Sequence, residues 1–104
     1  SLRNQLNPDV TVRPRGIMEK CTFCIQRINR GVRLAKQQNR AVQEGEIAPA
    51  CVQTCPANAL VFGNLLDNQS RVSQLKHNPR AYRIMEKLGT EPSVTYLKKV
   101  VLDA

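Results

Sequence analysis

Four cysteines in two pairs constrain this chain more than any other feature of its sequence. Cys21 and Cys24 form a C-x2-C pair, and after 26 intervening residues Cys51, Cys55 and Pro56 form a C-x3-C-P segment. Thiolates bind zinc and iron–sulfur clusters and can also pair as disulfides, so three kinds of site are open. A C-x2-C pair brings two thiolates to one metal site, since the backbone between them can wrap the metal with amide groups facing sulfur.

The spacing of the second pair favours an iron–sulfur site. C-x3-C-P matches the end of the bacterial ferredoxin run, C-x2-C-x2-C-x3-C-P, whose last cysteine ligates the other cluster of a two-cluster protein. Structural zinc usually takes two C-x2-C-like knuckles, and disulfide frameworks are typical of small secreted chains. We therefore predict that Cys21, Cys24 and Cys51 bind one [4Fe–4S] cluster and that Cys55 binds a neighbouring cluster.

The chain has too few cysteines to ligate two clusters by itself. Two cubes need eight thiolates, and the chain supplies four. The three-cysteine set would then need one cysteine from elsewhere, and the chain would be half of a ferredoxin unit. Its start at Ser1 rather than at a methionine leads us to expect a processed chain or a piece of a longer one. The simpler alternative, in which all four cysteines close a single cube, stays open.

Charge and composition narrow the remaining classes of function. The 104 residues carry a formal net charge of +8, which favours an acidic partner, nucleic acid or an anionic membrane surface. The four aromatic residues indicate a thin apolar core, which a bound cluster would help to stabilise. No nucleophile–base pair, phosphate loop or carboxylate pair is recognisable, so catalysis by this chain alone is not predicted. A zinc-stabilised basic module that binds nucleic acid is the alternative from another class, which the scarcity of aromatic residues disfavours.

Helical periodicity is clearest between the two cysteine pairs. Apolar residues at positions 25, 28 and 32 predict a helix from Ile25 to about Gln43, with Gly45 as its terminator. The other faces of this helix are basic. Gly31 weakens it by about 1 kcal/mol relative to alanine.

Pro56 divides the region after this helix. We expect an extended piece at 46–49 and one helical turn at 50–54, because Pro56 prevents that helix from continuing. A short turn at 57–59 and a β-prone run at 60–62 follow.

Capping signals organise the last third of the chain. Ser70 is predicted to cap a helix that reaches about Lys76. Asn78, as N-cap before a proline, is predicted to open a second helix through Leu88. An extended segment at 94–97 completes the pattern.

These elements predict an α+β fold. It is half of a two-cluster bacterial-ferredoxin-like unit with a long inserted helix and an extended and helical C-terminal arm. The predicted organisation is a connecting arm at 1–16, a cluster-binding segment at 17–66 and a subunit-docking arm at 67–104.

The cysteine pairs and their flanks resemble a known family. Residues 15–24 (RGIMEKCTFC) and 51–63 (CVQTCPANALVFG) are similar to the last cysteine motif of four-cluster ferredoxin subunits. Those subunits serve complex iron–sulfur molybdoenzymes such as dimethyl sulfoxide, polysulfide and tetrathionate reductases. The flanks resemble the ferredoxin-like iron–sulfur subunit of bacterial alternative complex III over nearly the whole chain, at 7–13 (NPDVTVR), 70–73 (SRVS), 78–82 (NPRAY) and 91–97 (EPSVTYL).

This resemblance implies electron transfer within a quinol-oxidising complex rather than catalysis by the chain itself. It implies that Cys21, Cys24 and Cys51 share a [4Fe–4S] cluster with an upstream cysteine of the same subunit and that Cys55 ligates the adjacent [4Fe–4S] cluster. A [3Fe–4S] cluster is implied elsewhere in the complex. The upstream motifs of the family are absent from this sequence.

The resemblance also implies a setting. The expected partners are the upstream remainder of the subunit, an integral membrane quinol-binding subunit and haem c subunits, with no nucleic acid. The expected location is the periplasmic face of a bacterial membrane. An electron-transfer subunit of a polysulfide- or tetrathionate-type molybdoenzyme is the nearest alternative.

Overall fold

The computed structural model describes residues 2–103 and divides the chain into two compact units. The first unit ends at Phe62 and the second begins at Gly63. The first contains a 3₁₀ helix (Leu2–Gln5) and the α-helices α1 (Ile25–Gln37) and α2 (Ala50–Thr54). The second contains helix α3 (Arg71–Lys76), strand β1 (Ala81–Tyr82), a 3₁₀ helix (Glu86–Leu88) and strand β2 (Tyr96–Leu97).

Helix α1 begins at the predicted residue but ends at Gln37, well before the predicted Gln43. Asn39 takes a left-handed conformation with φ +51°, and the amide of Arg40 donates to the carbonyl of Ala35 (3.1 Å). This is the Schellman arrangement that closes a helix. Asparagine tolerates the left-handed region better than most residues because its short polar side chain can hydrogen-bond locally. The predicted end of α1 was therefore wrong.

An ion pair closes the loop that follows α1. Gly45 lies in a turn with φ +78°, where the amide of Glu46 donates to the carbonyl of Gln43 (3.2 Å), so it does not terminate the helix. The guanidinium of Arg40 donates to both carboxylate oxygens of Glu46, with Nη1 2.8 Å from Oε2. The amide of Gln43 donates to the same Oε2 (2.9 Å). The hydrogen bond from Arg40 and then that from Gln43 lower the pKa of Glu46 to about 2.

We expect the Arg40–Glu46 pair to make stability pH-dependent in the acid range. Its contribution is complete above the ordinary pKa of 4.5 and is lost as the pH falls towards about 2, because protonation of Glu46 removes the charge that Arg40 binds. Glu46→Gln should therefore unfold at a lower temperature than the wild type at neutral pH, by a margin that shrinks on acidification. Thermal unfolding across a pH series measures this margin, with Glu91→Gln as the control. A margin independent of pH would contradict the expectation.

Gly31 allows the returning chain to lie directly against α1. A Cβ atom placed at Gly31 would stand 2.5 Å from Cγ1 and 2.7 Å from Cδ1 of Ile47. Carbon atoms in favourable contact are about 3.5–4.0 Å apart, so even an alanine does not fit unless Ile47 moves. The glycine that weakens α1 by propensity thus permits the packing of the segment that leads to the second cysteine pair.

Helix α2 confirms the helical turn predicted at 50–54. It begins after Pro49, which is buried, and ends where Cys55 turns to an extended conformation just before Pro56. The amide of Asn58 donates to the carbonyl of Cys55 (3.4 Å), which makes a turn slightly earlier than expected. The β-prone run at 60–62 is not part of a strand.

Helix α3 confirms the capping role predicted for Ser70. The hydroxyl of Ser70 accepts a hydrogen bond from the amide of Ser73 (3.2 Å) and donates one to the carbonyl of Asn64 (2.7 Å). Ser70 and Ser73 are 1% and 5% exposed, and among the described residues no buried side-chain nitrogen or oxygen lacks a hydrogen-bond partner.

The helix predicted from Asn78 to Leu88 does not form. Asn78 instead closes a tight turn: its side-chain Oδ1 accepts from the amide of Arg80 (2.9 Å), and its carbonyl accepts from the amide of Ala81 (2.9 Å). The same side chain that could cap a helix here stabilises a turn, which asparagine followed by proline also favours. The prediction was wrong because both uses share one sequence pattern.

The residues after this turn pair with the end of the chain. β1 and β2 are antiparallel, with Ala81 opposite Leu97 and Tyr82 opposite Tyr96. The tyrosine rings stack with centroids 5.6 Å apart, and such aromatic pairs stabilise cross-strand contacts. Strand β2 lies in the segment predicted to be extended. Gly89, at φ +63°, ends the short 3₁₀ helix.

The buried core is small, as the composition indicated. Ala35 is 2% exposed, whereas Met18, Leu66 and Val12 are 96%, 92% and 86% exposed. Within residues 2–103, no helix is long and apolar enough to cross a bilayer.

Candidate iron–sulfur cluster site

The loop that carries the first cysteine pair has an unusual backbone. Phe23 and Cys24 are both left-handed, with φ +56° and +57°, and each such residue costs about 1–3 kcal/mol. In the same loop, the amide of Phe23 donates to the sulfur of Cys21 (3.4 Å), as expected for a backbone that wraps a metal site. The Phe23 ring contacts that of Phe62, with centroids 6.1 Å apart. Strain of this kind concentrates at functional sites.

The first pair is brought to the start of α2. The amide of Ala50 donates to the sulfur of Cys24 (3.4 Å), although 26 positions separate the two residues in sequence. Cys51 follows Ala50 directly, so the structure places Cys51 next to the residue that contacts Cys24. Arg27 reinforces this arrangement through hydrogen bonds to Ala48 (2.9 Å) and Gln53 (2.7 Å).

Cys55 lies at the other end of α2 in a separate environment. Asn58, with φ +49°, curls the chain so that successive amides face the sulfur of Cys55. Hydrogen bonds from the amides of Ala59 and Ala57, followed by those of Leu60 and Asn58, lower the pKa of the Cys55 thiol. Successive amides around one point form an anion-binding nest, which favours the thiolate that binds a metal.

The four thiols are free and partly open to solvent. Cys21 and Cys51 are exposed, while Cys24 and Cys55 are half-buried. Of the apolar residues near the cysteines in sequence, Ile28, Ile47 and Val52 are half-buried, and Ile25, Ala59 and Leu60 are exposed. The apolar shell is therefore only partly covered by this chain.

These residues fit an iron–sulfur cluster. The donor set consists of thiols, which are the ligands of such clusters. The sulfur atoms of Cys21 and Cys24 accept hydrogen bonds from backbone amides, and the amides after Cys55 lower the pKa of its thiol. Within the described residues, no three His, Cys, Asp or Glu side chains converge closely enough for a single metal ion. The thiolates of a cube bind different iron atoms and do not need to converge on one point. The division of the four cysteines between two clusters stays a prediction.

Sequence reasoning missed three parts of this site: the left-handed Phe23 and Cys24, the amide nest around Cys55 and the contacts of Arg27. Of these, only the nest left a trace in the sequence, since Asn58 follows Pro56 at the spacing of a turn.

Comparisons with known proteins agree with the chemistry of the site. No protein-family model matches the chain. It is 40% identical over 97 residues to the iron–sulfur cluster-binding subunit of menaquinone reductase from Nitratidesulfovibrio vulgaris. It is 39% identical over 98 residues to Hdr-like menaquinol oxidoreductase iron–sulfur subunit 1 from Archaeoglobus fulgidus. It is 37% identical over 87 residues to the iron–sulfur subunit of arsenate respiratory reductase from Shewanella sp. strain ANA-3.

The homologues of this chain are iron–sulfur subunits of oxidoreductases. The matches cover 90%, 90% and 84% of the chain but only 38%, 33% and 31% of the respective relatives. The chain thus spans about a third of the length of these curated relatives. The names of these relatives agree with the predicted iron–sulfur class, and none of the three is named as a subunit of alternative complex III.

Proposed function

We propose that this chain passes electrons between [4Fe–4S] clusters inside a membrane-associated quinol oxidoreductase. Cys21, Cys24 and Cys51 hold one cluster, together with a cysteine from outside this sequence, and Cys55 holds its neighbour. The placement of Cys55 carries the proposal. Its sulfur lies in an amide nest beyond the C-terminal end of α2. The sulfur of Cys24 instead accepts a hydrogen bond from the amide of Ala50, at the N-terminal end of α2.

The residues of the chain supply ligands and environment, not bond-making chemistry. When bound, each cluster accepts and releases single electrons. The amides that face Cys21, Cys24 and Cys55 stabilise negative charge on sulfur, and hydrogen bonds of this kind tune the reduction potential. The half-buried Ile28 and Ile47 limit the access of water.

For the whole complex, we propose alternative complex III, on the strength of the flanking-sequence resemblance. Its partners are then the upstream remainder of the subunit, an integral membrane quinol-binding subunit and haem c subunits, at the periplasmic face. A [3Fe–4S] cluster lies elsewhere in the same complex. The similarity to a menaquinone reductase subunit and a menaquinol oxidoreductase subunit supports the choice of quinol as electron donor.

The similarity to an arsenate respiratory reductase subunit favours a second candidate. In this second candidate, the polypeptide passes electrons through the same clusters but belongs to a molybdoenzyme reductase. The two candidates share the cluster site and differ in the partner that exchanges electrons with it.

Purification from the host membrane under anaerobic conditions, with all accompanying subunits, tests these proposals. We expect electron paramagnetic resonance (EPR) signals of reduced clusters to appear on addition of menaquinol. Haem c without molybdenum in the preparation supports alternative complex III, and molybdenum without haem c supports the reductase. Clusters that stay oxidised with quinol but are reduced by dithionite would contradict quinol as the donor.

A further inference from the structure

Arg27 connects the two cysteine-bearing segments of the first unit through three hydrogen bonds. Its backbone amide donates to the carbonyl of Cys24 (2.8 Å) in the first turn of α1. Its Nη1 atom donates to the carbonyl of Ala48 (2.9 Å) and to Oε1 of Gln53 (2.7 Å). Arg27 therefore links the end of the first cysteine loop to the residues just before α2 and to α2 itself.

The position of these acceptors places the positive charge of Arg27 beside the segment that carries Cys51. Ala48 lies just before α2, and Gln53 lies within it, between Cys51 and Cys55. Both side-chain acceptors of Arg27 are neutral amide oxygens, so these hydrogen bonds fix the guanidinium without cancelling its charge. Arg27 is also half-buried, and a charge there is screened less than at the open surface.

We propose that Arg27 is a positioning residue that fixes Cys24 and Cys51 for one shared cluster and raises the reduction potential of that cluster. The first effect follows from the hydrogen bonds, because they tie the two ligand segments together. The second follows from charge, since a nearby cation stabilises the more negative, reduced form of a cluster. This inference rests on the proposed function, because it requires a cluster at these cysteines.

Other residues of α1 provide matched controls. Arg30 lies on the same helix and is exposed, so Arg30→Gln removes the same charge without touching either cysteine segment. Gly31→Ala presses on Ile47 and loosens the same packing without changing any charge. Arg27→Lys keeps the charge. Both side-chain hydrogen bonds of Arg27 come from its Nη1 atom, so the single ammonium group of lysine can replace them in part.

The experiment uses the protein purified anaerobically from its host with its accompanying subunits. For each variant, it measures the release of iron to a chelator and the midpoint potential of the retained clusters by EPR-monitored titration. We expect Arg27→Gln to release iron about 10- to 100-fold faster, in line with the loss of metal affinity when a residue that orients a metal ligand is removed. The cluster that Arg27→Gln retains should have a more negative midpoint potential than in the wild type. Arg27→Lys should return this potential to the wild-type value. Arg30→Gln should match the wild type, and Gly31→Ala should release iron faster at an unchanged potential.

Two results would overturn the inference. One is equal behaviour of Arg27→Gln and Arg30→Gln in both measurements. The other is faster iron release from Arg27→Gln with an unchanged potential, which a purely structural tether produces. Absence of clusters from the wild-type protein is a different failure, because it removes the proposed function itself.

Discussion

Cys51→Ser is expected to abolish one cluster and to leave its neighbour in place. Serine offers a hard oxygen where an iron–sulfur cluster needs a soft thiolate. Cys21→Ser and Cys24→Ser should remove the same cluster, because the three cysteines ligate it together. EPR spectra of the reduced protein, with iron per chain, measure the loss.

Cys55→Ser provides the decisive comparison. If Cys55 ligates the neighbouring cluster, this variant should disturb a different EPR signal from the one lost in Cys51→Ser. Thr54→Ser, which keeps a hydroxyl at the adjacent position of α2, is the control and should retain both signals. Loss of one and the same signal in Cys51→Ser and Cys55→Ser would instead support a single cube closed by all four cysteines.

Gly31→Val is expected to have the largest effect on stability outside the cysteines. The first added carbon would already lie 2.5 Å from Cγ1 of Ile47, and valine adds two more. We expect a loss in the free energy of unfolding near the upper end of the usual overpacking range of about 1–3 kcal/mol. Thermal unfolding of the purified protein measures it.

The cause of that loss can be isolated with a double-mutant cycle. Ile47→Ala removes the atoms that clash, so Gly31→Val should cost much less in the Ile47→Ala background. Helix propensity favours valine over glycine, so propensity does not account for a loss of stability in Gly31→Val. A cost at Gly31 that does not depend on Ile47 would show that the close approach is not the reason for the glycine.

Local sequence signals predicted the elements whose causes are local. Pro56 ends α2 at the expected place, and the hydroxyl of Ser70 caps α3 as expected. In both cases the physical cause acts within four residues and leaves few alternatives. The iron–sulfur class of the chain was predictable for the same reason, since the C-x2-C and C-x3-C-P spacings can be read without knowing the fold.

Prediction failed where one residue type serves two conformations. Asn39 ends α1 before Gly45 can, because asparagine also adopts the left-handed region. Asn78 with Pro79 forms a turn instead of a helix N-terminus, and the choice is linked to pairing of Tyr82 with Tyr96, which is distant in sequence. Neither competition can be resolved from the segment itself.

The long-range contacts of the site were also beyond the sequence. Arg27 looked like one of several basic residues on a solvated helix, and its role depends on acceptors at positions 48 and 53. Gly31 looked like a weak point of α1 until Ile47 was placed against it. The sequence contains both residues, but only the fold shows which neighbours give them a function.

The most direct test of the central claim is the content of iron, acid-labile sulfide and zinc per chain in anaerobically purified protein. We predict iron together with acid-labile sulfide, no zinc, and the brown colour and broad absorbance of iron–sulfur clusters. A single zinc per chain without sulfide would contradict the account, because the four cysteines would then form a structural metal site that transfers no electrons.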